Sequence, residues 1–183
     1  MALHFAAMLH ELRGDAAETR RLAQSSIDLA VEEGFSFWLA GAKVLHGWAD
    51  AALARGGEGA GIEEIREGLD GWLAIGSKTY LPYYLGLLAD TQIRQGRLQE
   101  ASTTLTEALA AARSLNEGLY EAELLRLKAA TLTDAAAAGK ILSESIALAK
   151  RQGAQALERR STADLERLTR PAASPSAAPR GRR

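Results

Sequence analysis

The residues of this chain that could do chemistry are few, and their spacing is wrong for most of it. Gly56-Gly57-Glu58-Gly59-Ala60-Gly61 is the one glycine-rich run, and Gly56 and Gly61 stand at the spacing of a phosphate-binding loop. Such a loop also needs Lys and then Ser or Thr directly after its last glycine, and a strand before it. Here Ile62-Glu63-Glu64 follows, so the lysine is absent and two carboxylates would repel phosphate. The run reads as a flexible hairpin turn. His10-Glu11 begins like a zinc-protease helix, but the second His, required four residues on, is Gly14. His4 and His10 lie six residues apart, about 600° around a helix, and point to different sides. With His46 they should be partly buried or line a groove; no metal site is expected.

Glu32-Glu33, Glu63-Glu64 and the Glu121/Glu123 pair are the neighbouring carboxylates. Acid–base work needs a carboxylate in a cleft with a displaced pKa, and nothing in the sequence marks one. These pairs read as solvated helix faces. The chain has no Cys, which removes disulfides, thiolate metal sites and a cysteine nucleophile. No catalytic residue and no cofactor is expected; the chain reads as a non-enzyme. Trp38, Trp48 and Trp72 are expected to fill the core. Tyr83 and Tyr84 cannot share a helix face, so one of them should be exposed, where it would serve as a binding anchor.

The elements that position these side chains must be helical. Of the 183 residues 47% are hydrophobic but only 5% aromatic, and Val occurs only at Val31 and Val44, so strand-forming material is scarce. Basic and acidic residues number 22 and 23, which gives no general pull toward nucleic acid or an anionic membrane. No apolar run approaches the ~20 residues that span a bilayer. The start, Met1-Ala2-Leu3-His4, lacks the basic segment and cleavage site of a secretion signal. The expectation is a soluble, cytoplasmic, all-α protein.

Glycine recurs along it. Gly34, Gly76, Gly118 and Gly153 close helical stretches at spacings of 42, 42 and 35. Gly14, the Gly56–Gly61 cluster and Gly96 fall about midway, and Thr133-Asp134 with Gly139 takes that place in the last interval. Helices tend to end where Gly adopts a left-handed conformation, so the series implies alternating short helices. Self-similarity at about 34 to 42 residues marks a helical-hairpin solenoid. Leu98, Ala101, Leu105, Ala108, Leu109, Ala112 and Leu115 recur at three and four, an amphipathic stripe. The helices expected pair 2–12 with 16–32, 36–54 with 61–75, 80–94 with 97–115, and 119–132 with 137–151; a single helix, 155–169, follows.

The tetratricopeptide pattern wants small residues where two helices cross closely: seven before the mid-hairpin glycine, then five and twelve after it. Ala89, Ala101 and Ala108 meet it around Gly96, Ala7, Thr19 and Ser26 around Gly14, and Ala49 before Gly56. The fold expected is a tetratricopeptide-like solenoid of four hairpins and a closing helix over residues 1–169. Residues 170–183, rich in Pro, Ala, Ser and Arg, should form a disordered tail.

Four segments in order, 32–49 (EEGFSFWLAGAKVLHGWA), 61–110, 120–132 (YEAELLRLKAATL) and 149–161 (AKRQGAQALERRS), carry a family likeness. They resemble the C-terminal tetratricopeptide region of large bacterial adenylate/guanylate-cyclase-like signalling proteins. Glu121-Ala122-Glu123-Leu124, Gly61-Ile62, Gly68-Leu69 and Trp72 are its more specific parts, and residues 133–139 are short against it. In that family a class III cyclase domain, or a DNA-binding regulator domain, precedes a predicted ATPase domain and then this array. The resemblance implies a protein–protein interaction or regulatory module, because the family's catalytic residues lie upstream of the matching region. It leaves open a subunit or fragment of a cyclase or ATPase that lacks its catalytic domain. A transcriptional-regulator fragment is less favoured, since Glu158, Asp164 and Glu166 offset Arg159, Arg160, Arg167 and Arg170 on and just after helix 155–169. The partner implied is a protein or peptide, or the upstream cyclase/ATPase domain, rather than nucleic acid or a membrane. Carrying the tetratricopeptide groove places over from the aligned alanines gives Lys43, His46 and Asp50, then Tyr83 and Asp90, then Glu123 and Arg126.

The two ends differ. Helix 155–169 has a narrow apolar stripe of Leu157, Leu165 and Leu168 and is polar elsewhere, as a terminal cap requires. Helix 2–12 is apolar on more than one face, with no Ser, Thr, Asp or Asn before it. It is expected to pack against a further helix upstream, and otherwise to fray, self-associate or cover its free face with a partner. Amide exchange checks this: residues 2–12 should exchange fast in a monomeric sample, and slow exchange there would contradict it.

Overall fold

The computed structural model describes residues 1–54 and 59–170; Gly56, Gly57 and Glu58 of the glycine-rich run, and the expected tail from 171 on, lie outside them. The protein is all-α. Its helices are α1 (Ala2–Leu12), α2 (Ala16–Glu32), α3 (Ser36–Ala52), α4 (Ala60–Ala74), α5 (Leu81–Arg94), α6 (Leu98–Leu115), α7 (Glu121–Ala130), α8 (Ala135–Gln152) and α9 (Gln155–Thr169). A 3₁₀ turn, Gly118–Tyr120, leads into α7, and no strand occurs among the described residues. No helix among them is long and apolar enough to cross a membrane.

The helix ends follow local chemistry. Gly14, Gly34, Gly76, Gly96 and Gly153 all take positive φ where the glycine series puts helix ends. Gly118 does not. α6 stops two residues earlier at Asn116, which itself adopts φ 54, and Gly118 opens the 3₁₀ turn instead. Asn tolerates the left-handed region better than other side-chain-bearing residues, so it replaces Gly as the stop signal. Asp15 and Asp134 cap α2 and α8 by accepting backbone N–H groups from Glu18 and Ala136.

Each helix packs on the next, and α1, α3, α5, α7 and α9 also touch one another in series. Ala7, Thr19, Ala49, Ala89, Ala101 and Ala108 are fully buried and Ser26 nearly so, so every small residue singled out by the repeat pattern sits inside. α3 and α4 approach most closely through glycines. A Cβ on Gly68 would lie 2.7 Å from the Ala40 carbonyl oxygen and 2.8 Å from Val44 Cγ2. The main core runs from α1 to α7 and includes Leu45, Trp48, Ile65, Trp72, Leu87 and Leu105. Trp38 is only half-buried, edge-on to Phe5 and Phe37.

The structure assigns the inner face of α1 and corrects one expectation, that of an exposed tyrosine on α5. α1 buries His4, Ala7 and Glu11, while Phe5 and Leu9 stay 41% and 48% exposed. Polarity did not decide which face turns inward, because both buried polar groups find partners. Tyr83 and Tyr84 are both buried, so neither is an exposed anchor. α5 lies mid-series between α3 and α7 with α6 behind it, and each of its faces meets another helix.

Gly68→Ala tests the close approach. In an open helix the change would stabilise by up to about 1 kcal/mol through propensity. Here the new methyl meets backbone, and overpacking costs of about 1–3 kcal/mol should win. The urea midpoint should fall; a rise would show that α3 and α4 are docked less tightly.

Candidate functional site

Two tyrosine hydroxyls hold α1 in place. Tyr84 Oη lies 2.9 Å from His4 Nε2, and Tyr83 Oη donates to Glu11 Oε2 at 2.7 Å. Gly41 makes room for the first contact, since a Cβ there would fall 2.6 Å from Tyr84 Oη and 2.7 Å from His4 Cε1. Burial pushes the His4 imidazole down to about 4 and the Glu11 carboxyl up to about 7. His4 is therefore neutral, and Glu11 keeps its proton into the neutral range.

Glu11 borders a cleft of about 380 Å³ that α3, α5, α7 and α9 help to wall. On one side Trp48 Nε1 donates to Asp90 at 2.8 Å, and Arg94 donates to the same carboxylate at 2.8 Å. On the other, Glu123 accepts a paired hydrogen bond from Arg126, at 2.7 and 3.0 Å, and a third from Arg160 at 3.1 Å. Glu123 is 2% exposed, and an ion so buried is tolerated only when paired and hydrogen-bonded. Arg126 reaches on to Asp164 of α9 at 2.8 Å, and Arg160 donates to the Leu12 carbonyl at the end of α1. The last helix is thus tied to the first. Arg13, Arg94, Arg126, Arg160 and Arg167 line the cleft against Glu11, Asp90, Glu123 and Asp164, with Glu11 protonated below about pH 7. Positive charge is in excess.

Of the seven residues carried over from the groove pattern, Asp90, Glu123 and Arg126 meet in this cleft. Tyr83 lies buried beside it, its hydroxyl spent on Glu11. Lys43, His46 and Asp50 are not part of its lining. Lys43 Nζ pairs with Glu67 at 3.0 Å, His46 Nδ1 with Glu64 at 2.9 Å, and Asp50 with Arg20, all between α2, α3 and α4. The glycine-mediated docking of α4 on α3 brings Glu64 and Glu67 within reach of these side chains.

The carboxylates read as solvated divide accordingly. Glu32, Glu33 and Glu63 are exposed, Glu64 is half-buried on His46, and Glu123 is buried among arginines. Glu11, Tyr120, Arg160 and Asp164 went unrecognised. Glu11 did carry a signal: it lies four residues after Ala7, a small buried position, and so shares that face.

His46, Asp50 and Glu64 place ligand atoms within 4.8 Å of one another, a spacing a metal ion could use. The Arg20 guanidinium already sits on Asp50 and the imidazole on Glu64, so an ion would have to displace both contacts. No protein-family model matches the sequence, and no curated protein matches it.

Stability against pH separates the two titrating groups on α1. Glu11 binds its proton more tightly folded, at about 7 against 4.5 unfolded. Its contribution is full below about pH 4.5 and is lost as pH rises through about 7. His4, depressed from 6.5 to about 4, acts oppositely: its contribution is present above about pH 6.5 and fades as pH falls toward 4. Glu11→Gln removes only the first. The variant's stability relative to wild type should rise by up to about 3 kcal/mol between pH 5 and pH 8 in urea titrations. Parallel profiles would show that Glu11 does not titrate there.

Proposed function

We propose that this protein is a non-catalytic interaction module, a tetratricopeptide-like solenoid of four helix hairpins and a closing helix. Its cleft binds a carboxylate-rich protein segment. The observation that carries this reading is the cleft itself: five arginines from the loop after α1 and from α5, α7 and α9, set around buried aromatic rings. The serial contact of the odd-numbered helices supports the solenoid, as does the burial of all seven small residues of the repeat pattern. Asp90 and Glu123 are held by arginines, an arrangement suited to recognition rather than to proton transfer.

The resemblance to the helical array of cyclase-like signalling proteins supports a regulatory role beside a cyclase or ATPase domain. On that reading the domain itself, or a segment joined to it, supplies the acidic partner. The coding sequence upstream tests this half: a cyclase or ATPase domain there supports it.

Arg94 and Arg167 are the variants of choice, because their side chains are 47% and 72% exposed and their loss leaves the buried Glu123 pairing intact. On an array of acidic and basic 15-residue peptides the protein should retain acidic ones, in a salt-sensitive way. Arg94→Ala with Arg167→Ala should weaken that binding by about tenfold with an unchanged circular-dichroism melt. Binding to no acidic peptide at millimolar concentration, or binding untouched by the double variant, would overturn the cleft assignment. ATP turnover above a heat-treated control would overturn the non-catalytic reading.

A further inference from the structure

A second cavity, about 530 Å³, shares Tyr120 with the cleft but differs from it in character. Its walls come from separate parts of the chain: Met8 and Leu12 on α1, Tyr80 and Tyr83 at the start of α5, Tyr120 before α7, and Leu157 on α9. The volume falls within the range of small-molecule sites, roughly 300–1,000 Å³, which are mostly apolar with a few placed polar groups. Glu117 is the one charged side chain among the described residues lining it.

Glu117 also does something unusual there. Tyr80 takes a left-handed backbone, φ 60 and ψ 7, in which a large side chain is strained. The Glu117 carboxylate accepts the Tyr80 N–H at 3.0 Å across 37 residues of sequence and fixes that conformation. The Tyr80 ring is in turn braced edge-on by Phe5, with centroids 6.3 Å apart. One Glu117 oxygen is used in this way. The other has no protein donor among the described residues, and it stands at an aromatic-walled cavity.

We propose that this cavity is a binding site for a small amphipathic molecule with an aromatic or branched apolar body and one ammonium or N–H donor group. The body fills the space between the tyrosine rings, Met8 and Leu157, and the donor meets the free oxygen of Glu117. The site is independent of the arginine-lined cleft and of what that cleft binds. Nothing in it calls for covalent chemistry.

Three matched probes test it on the full chain by calorimetry: 2-naphthylmethylammonium, 2-naphthylmethanol and 2-naphthoate. The ammonium should bind saturably at one site, about tenfold tighter than the alcohol, with the carboxylate weakest. Glu117→Gln keeps an acceptor for the Tyr80 N–H and should bring the ammonium down to the alcohol's affinity. Ala156→Trp starts from an exposed position at the cavity and should fill it, abolishing binding of all three with an unchanged melting curve. No saturable binding of any probe, binding that survives Ala156→Trp, or a preference for the carboxylate would each overturn the proposal.

Discussion

Tyr83 and Tyr84 are adjacent on α5, yet both hydroxyls end on α1, one at Glu11 and the other at His4. Much else depends on these two bonds. A buried carboxyl or imidazole without a partner costs about 1–3 kcal/mol, so α1, where it docks, docks across the tyrosine pair. In that position its last turn contributes Met8 and Leu12 to the apolar cavity and Glu11 to the arginine-lined cleft. It also presents the Leu12 carbonyl to Arg160. Gly41 is part of the same constraint, because any side chain at that point of α3 would drive His4 and Tyr84 apart.

The helices themselves were legible because their ends are decided locally. A positive-φ glycine or an Asp cap acts within a few residues, so the glycine series located the ends of α1, α2, α4, α5 and α8; Asn116 took the role expected of Gly118, Ala54 at φ 53 follows α3, and Gly139, expected between helices, lies inside α8. The buried small residues were legible too, since a close crossing excludes bulk whatever the partner helix is. The partners of the buried polar side chains were not. Glu11 is acceptable inside only because Tyr83, 72 residues away, donates to it, and Glu123 only because Arg160 arrives from α9. Neither pairing leaves a trace in local periodicity. The same holds for Lys43, His46 and Asp50: their spacing fits a groove, but acidic residues of α4 and the Arg20 guanidinium of α2 claim all three.

The two halves of the molecule are held by different means. From α1 to α7 one continuous apolar core runs through large side chains, and the glycines of α3 and α4 let two backbones nearly touch. Beyond α7 the apolar clusters are small, Ala122 with Ala149 and Leu157, and Ala129 with Ala138 and Leu142. There the buried Ser145 hydroxyl links α7 to α9 through the Ala122 carbonyl and Ser161, and Glu123 gathers Arg126 and Arg160. Such charged contacts are directional and sensitive to the loss of one partner, at about 3–5 kcal/mol for a buried ion pair. Position at this end is set more by polar geometry than by packing volume.

The bond from Arg160 to the Leu12 carbonyl joins residues 148 apart in sequence. A row of helices in which each grips only its neighbours can be peeled from either end, one hairpin at a time. Here the end helices share a clasp. Traction applied to α9 loads Leu12 directly, and traction applied to α1 loads Glu123 through Arg160. Under tension this bond must open before α1 and α9 can part.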